Sequence, residues 1–77
     1  MSAAALPLID HVYRVALPNG QDAEVLVLKA NYVVVTYLPR RADGTFSLSD
    51  PTFAYPTAAW GSREPKLLGP VAEGDYA

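Results

Sequence analysis

AEVLVLKANYVVVTYLP, residues 23–39, is apolar at most positions and rich in residues that resist the helix. Val, Thr and Tyr lose rotamer freedom against the preceding turn of a helix and pack well on a pleated surface, so the stretch reads as strand. It is longer than the roughly 10 residues that one strand usually reaches, so it must bend or break. Lys29 and Asn31 interrupt the apolar run, and Asn tolerates the left-handed region. These residues predict strands near 23–29 and 31–38, with a bulge inside one long strand as the alternative.

Turn signals bracket this stretch. LPNGQD at 17–22 carries Asn19-Gly20 and RRADGT at 40–45 carries Asp43-Gly44, pairs that accept positive φ at low cost and mark hairpins between apolar runs. Before the first turn, HVYRVAL alternates, with Tyr13, Val15 and Leu17 on one side and Val12, Arg14 and Ala16 on the other, which predicts a strand near 10–17. After the second, TFSLS alternates and predicts a strand with Phe46 and Leu48 inward. The expected fold is all-β: a small antiparallel meander of four to five strands, with residues 10–50 as its body. The pattern leaves open whether the sheet curls into an SH3-like barrel.

The strand at 31–38 raises a covering problem. Tyr32, Val34, Thr36 and Leu38 lie on one side and Val33, Val35 and Tyr37 on the other, so both sides are apolar. The second side must be covered by the rest of the chain, by closure of the sheet, or by another molecule. Residues 1–9 read as an N-terminal arm. Residues 51–77 carry Pro51, Pro56, Pro65 and Pro70 with Gly61, Gly69 and Gly74, which rule out a long helix or a central strand. They read as an extended Pro/Gly-rich arm packing on the sheet or on a neighbour, with one short edge strand near 52–55 or 66–71. Its large apolar residues are few and separated. Trp60 follows the small residues Thr57-Ala58-Ala59 and precedes Gly61, a setting in which a large aromatic can stand out from a loop. The expected protein interface is Tyr55, Trp60, Arg63, Leu67 and Leu68.

Composition narrows the function classes. A chain of 77 residues forms one domain and buries only about 60% of its unfolded surface, so outside support is expected. With no Cys and one His, disulfides, thiolate sites and imidazole clusters are unavailable, which leaves a protein partner or a homo-oligomer. At 51% hydrophobic and 18% charged the chain is globular, and six basic against eight acidic residues leave a net charge of −2 that draws it to neither nucleic acid nor anionic lipid. Arg40 and Arg41 are the candidate basic patch, a thin signal for a nucleic-acid-binding small barrel.

His11, Asp10 and Ser62 supply the residue types of a hydrolytic triad, but no Ser sits in a nucleophile elbow and so short a chain leaves little room for a pocket with an oxyanion hole. Asp10, Asp22, Glu24, Asp43 and Asp50 are scattered at turns rather than spaced as a cation loop. No enzyme activity, cofactor, metal or small-molecule substrate is expected. MSAAALPLIDH has no basic n-region and its apolar part is interrupted by Pro7, which predicts a cytoplasmic or virion location rather than secretion. The function expected is non-enzymatic protein–protein interaction or a structural subunit of a larger assembly, an accessory virion protein being one example. A small phage-type inhibitor that blocks a host protein is the alternative.

Overall fold

The computed structural model describes residues 6–17 and 19–77; residues 1–5 of the expected N-terminal arm, and Pro18 in the first turn, lie outside the described residues. Five strands form one antiparallel sheet: β1 (His11–Ala16), β2 (Asp22–Ala30), β3 (Val34–Pro39), β4 (Phe53–Pro56) and β5 (Lys66–Pro70). Their order across the sheet is β4-β3-β2-β1-β5. The mainly-β antiparallel fold expected from the sequence is therefore present. The sheet stays open, with β4 at one edge and β5 at the other, and does not close into a barrel. One short helix, α1 (Thr57–Trp60), follows β4. Among the described residues, no helix is long and apolar enough to cross a membrane.

The stretch 23–39 solves its length problem twice. The chain turns at Asn31–Val33, where the Asn31 Oδ1 accepts the Val33 and Val34 amides, each at 2.8 Å, and the Asn31 amide donates to the Val34 carbonyl at 3.1 Å. Short polar side chains make such local bonds to backbone and so define turns. The register also shifts between Val27 and Lys29, leaving Leu28 as an extra residue in β2. That bulge re-phases the strand, so that Ala30, opposite Val35, returns to the side occupied by Val27. Tyr32 and Val33, expected inside a strand beginning at 31, are instead turn residues that are 83% and 77% exposed.

The two Asx-Gly turns are built alike. In the first, the Leu17 amide donates to the Gln21 carbonyl and the Gly20 amide to the Leu17 carbonyl; in the second, Arg41 and Thr45 make the same closure and the Gly44 amide donates to the Arg41 carbonyl. Gly20 at φ 85° and Gly44 at φ 88° take the left-handed position, whereas neither Asn19 nor Asp43 does. Asn19 and Asp43 use their side chains, each accepting the amide two residues on, from Gln21 and Thr45.

The second turn does not make the expected hairpin. β3 pairs with β2 and β4, and TFSLS does not run back along it. Phe46 is fully buried and forms an isolated parallel bridge with Tyr76, its amide donating to the Asp75 carbonyl and its carbonyl accepting the Ala77 amide. Leu48, expected inward, is 66% exposed. The edge of β3 on that side belongs to β4, so the segment after Gly44 passes over the sheet.

Both sides of the sheet are thus covered from within the chain. Tyr13, Val15, Val25, Val27 and Val35 form one side with Trp60 packed on them. Val12, Leu26 and Leu38 form the other beneath Phe46, with Leu28, Val71 and Tyr76 at the margin. Alternation along β1, and along β2 as far as its bulge, places these clusters on opposite faces. Residues 51–77 supply both edge strands, more than the one short edge strand expected near 52–55 or 66–71.

Candidate protein-interaction surface

The segment from β4 to Arg63 places the candidate residues. Val35 faces Tyr55 and Tyr37 faces Phe53 across the β3–β4 ladder, so Phe53 and Tyr55, two apart, share the face that Trp60 covers. Pro56 then opens α1 and Thr57 anchors it: its amide donates to the Val33 carbonyl at 3.1 Å and its hydroxyl to the Asn31 carbonyl at 2.7 Å. Thr57 is buried, and these bonds satisfy it there.

One turn later Trp60 enters the core, 5% exposed, meeting Tyr13 edge-to-face at a centroid distance of 5.9 Å. This corrects the expectation that Trp60 stands out in an intermolecular contact. The small neighbours that let an aromatic stand out also let the chain turn tightly enough to bury it, and the apolar face beneath decides between the two.

Gly61–Arg63 form a 3-10 turn that carries Arg63 back toward β4. Its guanidinium lies 4.2 Å from the centre of the Tyr55 ring, and Nη1 donates to the Ala16 carbonyl at 3.2 Å. Glu64 ends the turn in the left-handed region at φ 51°. Ala16, Leu17, Tyr55, Ser62 and Arg63 line an open groove of about 230 Å³. Ser62 is occupied in the turn itself, donating to the Ala59 carbonyl at 2.6 Å.

Beside this groove Phe53 stacks on Tyr37, with centroids 5.7 Å apart and planes 23° from parallel, and is 51% exposed. Tyr37, Phe53, Tyr55 and Arg63 therefore form one continuous row of aromatic and guanidinium surface. Phe53 and Tyr37 are absent from the residues expected at an interface. The spacing Phe53-Ala54-Tyr55 was the available signal, because alternate residues of a strand share a face.

Leu67 and Leu68 do not join this row. They lie on β5 at the opposite edge, where the register shifts between Val12 and Tyr13, and both remain exposed. Arg40 and Arg41 are also elsewhere, and each is engaged with carboxylates. Arg40 Nε donates to Glu24 at 2.9 Å, its Nη1 lies 3.9 Å from Asp75, and its guanidinium covers Phe46; Arg41 pairs with Asp50 at 3.4 Å. Glu24 also meets Arg14 at 3.3 Å, so the face beneath Phe46 carries alternating charges rather than a basic field.

His11 Nδ1 donates to the Ile9 carbonyl at 2.8 Å. Among the described residues, no three acidic or imidazole side chains converge as a cation site. Asp43 is held below the ordinary carboxylate value by the Thr45 hydroxyl and then by the Thr45 amide, both donating to it, a property of the turn. No family model, curated protein or solved structure matches the chain, so its surface stands alone as the guide to what it does.

Proposed function

We propose that this domain acts without catalysis, by contact with protein, as an interaction module or structural subunit of a larger assembly of the kind an accessory virion protein represents. The observation that supports this reading is the row Tyr37, Phe53, Tyr55 and Arg63 along the β4 edge. Tyr, Phe and Arg are the residue types enriched at protein interfaces, because they bring large rigid area and directional donors at little entropic cost. Tyr37 and Tyr55 also pack on the cluster under Trp60, whereas Phe53 and Arg63 lie outside both buried clusters and are not needed to close the fold. The groove that Tyr55 and Arg63 line is open rather than enclosed, a shape suited to another surface and poor for excluding water from a reaction.

The test is affinity capture from extracts of the native source, comparing the wild-type domain with the double variant Phe53→Ala/Arg63→Ala. Both side chains lie outside the buried clusters, so the variant is expected to keep a cooperative thermal transition. A protein held by the wild type and lost by the folded variant supports the reading. Identical captured sets from the two would overturn it. The stoichiometry of a captured complex separates a structural subunit, present in many copies per assembly, from an inhibitor bound once to a host protein.

A further inference from the structure

The two edges of the sheet are guarded differently. β5 carries Lys66 and is bracketed by Pro65 and Pro70, with the register shift beside them, all of which discourage further strand pairing. β4 has the sequence Phe-Ala-Tyr-Pro and no charge. Its backbone polarity follows from one bond beyond its end, the Thr57 amide to the Val33 carbonyl. Hydrogen-bonded pairs recur at every second residue of an antiparallel ladder, so Phe53 and Tyr55 also direct their backbone groups at β3. Thr52, Ala54 and Pro56 direct theirs outward. Pro56 has no amide to offer, and as the N-cap of α1 its carbonyl accepts the first bond of that helix, so the open edge presents the amides and carbonyls of Thr52 and Ala54.

We infer that two copies of this chain pair antiparallel through β4, about a two-fold axis at Phe53. The groups on offer select this register. With Thr52 of each copy facing Ala54 of the other, every free amide and carbonyl of the two edges finds a partner. Moving the axis to Ala54 or Tyr55 brings in Pro56, which has no amide and an engaged carbonyl, and loses bonds. In the selected register Phe53 faces Phe53 of the second copy on the same side of the sheet. Directly opposed side chains of this kind interact, and the Tyr37–Phe53 stack would continue across the axis into that of the second copy. An uncharged strand brings no like charges together when it meets itself, as a two-fold contact requires.

The inference rests on the reading of the β4 surface as a contact surface, and its test uses a separate measurement. Sedimentation velocity over a wide concentration range is expected to show a reversible monomer–dimer equilibrium, with the Thr52 and Ala54 amides protected from hydrogen exchange only in the dimer. Ala54→Pro removes an outward amide with no partner inside the chain, and Phe53→Lys adds a charge to a half-exposed position. Each is expected to leave the Trp60 emission of a folded domain and weaken the dimer at least about tenfold. A wild-type monomer at every concentration overturns self-pairing, as does a dimer that survives Phe53→Lys in folded protein. A monomer whose β4 amides become protected only with a captured protein overturns self-pairing while keeping the contact reading; a monomer that captures nothing removes both.

Discussion

Trp60 and Phe46 close opposite faces of one sheet, and the chain reaches the two positions by different routes. Trp60 comes from α1, directly after edge strand β4, and its approach is fixed by the two bonds of Thr57 to the 31–33 turn of the sheet itself. Phe46 comes from an irregular segment, and what holds that segment down is the C-terminal residues: the Asp75 carbonyl and Ala77 amide bond to it, and Tyr76 packs against its cluster. The first cover is seated directly on a turn between two strands of the sheet. The second needs two chain segments, separated by most of the second half of the sequence, to meet. In a domain this small, where total stability lies toward the low end of about 5–15 kcal/mol, each cover is indispensable, but they should fail differently.

The largest expected effects come from removing either cover. Phe46→Ala and Trp60→Ala should each cost about 3–5 kcal/mol, since a buried aromatic ring loses both its transfer free energy and the packing around the cavity left behind. Urea denaturation of both variants checks this, with a stabilising osmolyte added to keep either variant folded for the measurement. A loss under about 1 kcal/mol at Trp60 would return that side chain to the surface and reinstate it as an interface anchor.

A smaller effect sharpens the comparison. Tyr76→Ala keeps the backbone bridge to Phe46 but removes the ring at its margin, for about 2 kcal/mol. Because the sheet lies between the two clusters, this loss should add to that of Trp60→Phe within about 0.5 kcal/mol in a double-mutant cycle. A larger coupling would show that the faces are not independent packings.

The unequal routes also explain what was legible in the sequence. The alternation of Tyr13 and Val15 against Val12, and the two Asx-Gly turns, are local signals: the first strand and both turns are present near the expected boundaries, although the second turn closes no hairpin. The two-sided apolar character of residues 31–38 announced that both faces needed covering, which holds for 34–38 but not for the exposed Tyr32 and Val33. What covers them was not local. Phe46 in an alternating TFSLS looks like a strand residue, and nothing near it says that Asp75–Ala77 arrive to bond its backbone in place of β3. Trp60 looked like a free anchor for the same reason, because its burial depends on Tyr13, Val27 and Val35, which are distant in sequence. Of the expected interface, Tyr55 and Arg63 meet in one groove, while Leu67 and Leu68 fall at the far edge. Residues 53–56 and 66–70 pair with non-neighbouring partners, and only the pairing decides which edge each joins.

The smallest expected effect separates the two turns, which share one backbone design and differ in one titratable group. Asn19 and Asp43 occupy equivalent positions, each accepting an amide two residues on, but only Asp43 also accepts the Thr45 hydroxyl and only Asp43 can be protonated. Its carboxyl is depressed below 3.8 chiefly by that hydroxyl, then by the Thr45 amide, because both donors favour the charged form. A depressed folded-state value means that the contribution is fully present above the unfolded value of 3.8 and is lost as pH falls through the lower folded value. Thr45→Val removes the hydroxyl and leaves the amide, so Asp43 should titrate closer to 3.8 and the acid end of the stability curve should flatten slightly. Side-chain carboxyl titration by NMR reads the first effect directly. The same titration should show the Thr45 amide losing protection at acid pH while the Gln21 amide, held by an amide side chain, does not. Equal behaviour of the two amides, or an Asp43 that titrates at the ordinary value in the wild type, would show that the turns are equivalent and that the carboxylate adds nothing to the segment that carries Phe46 over the sheet.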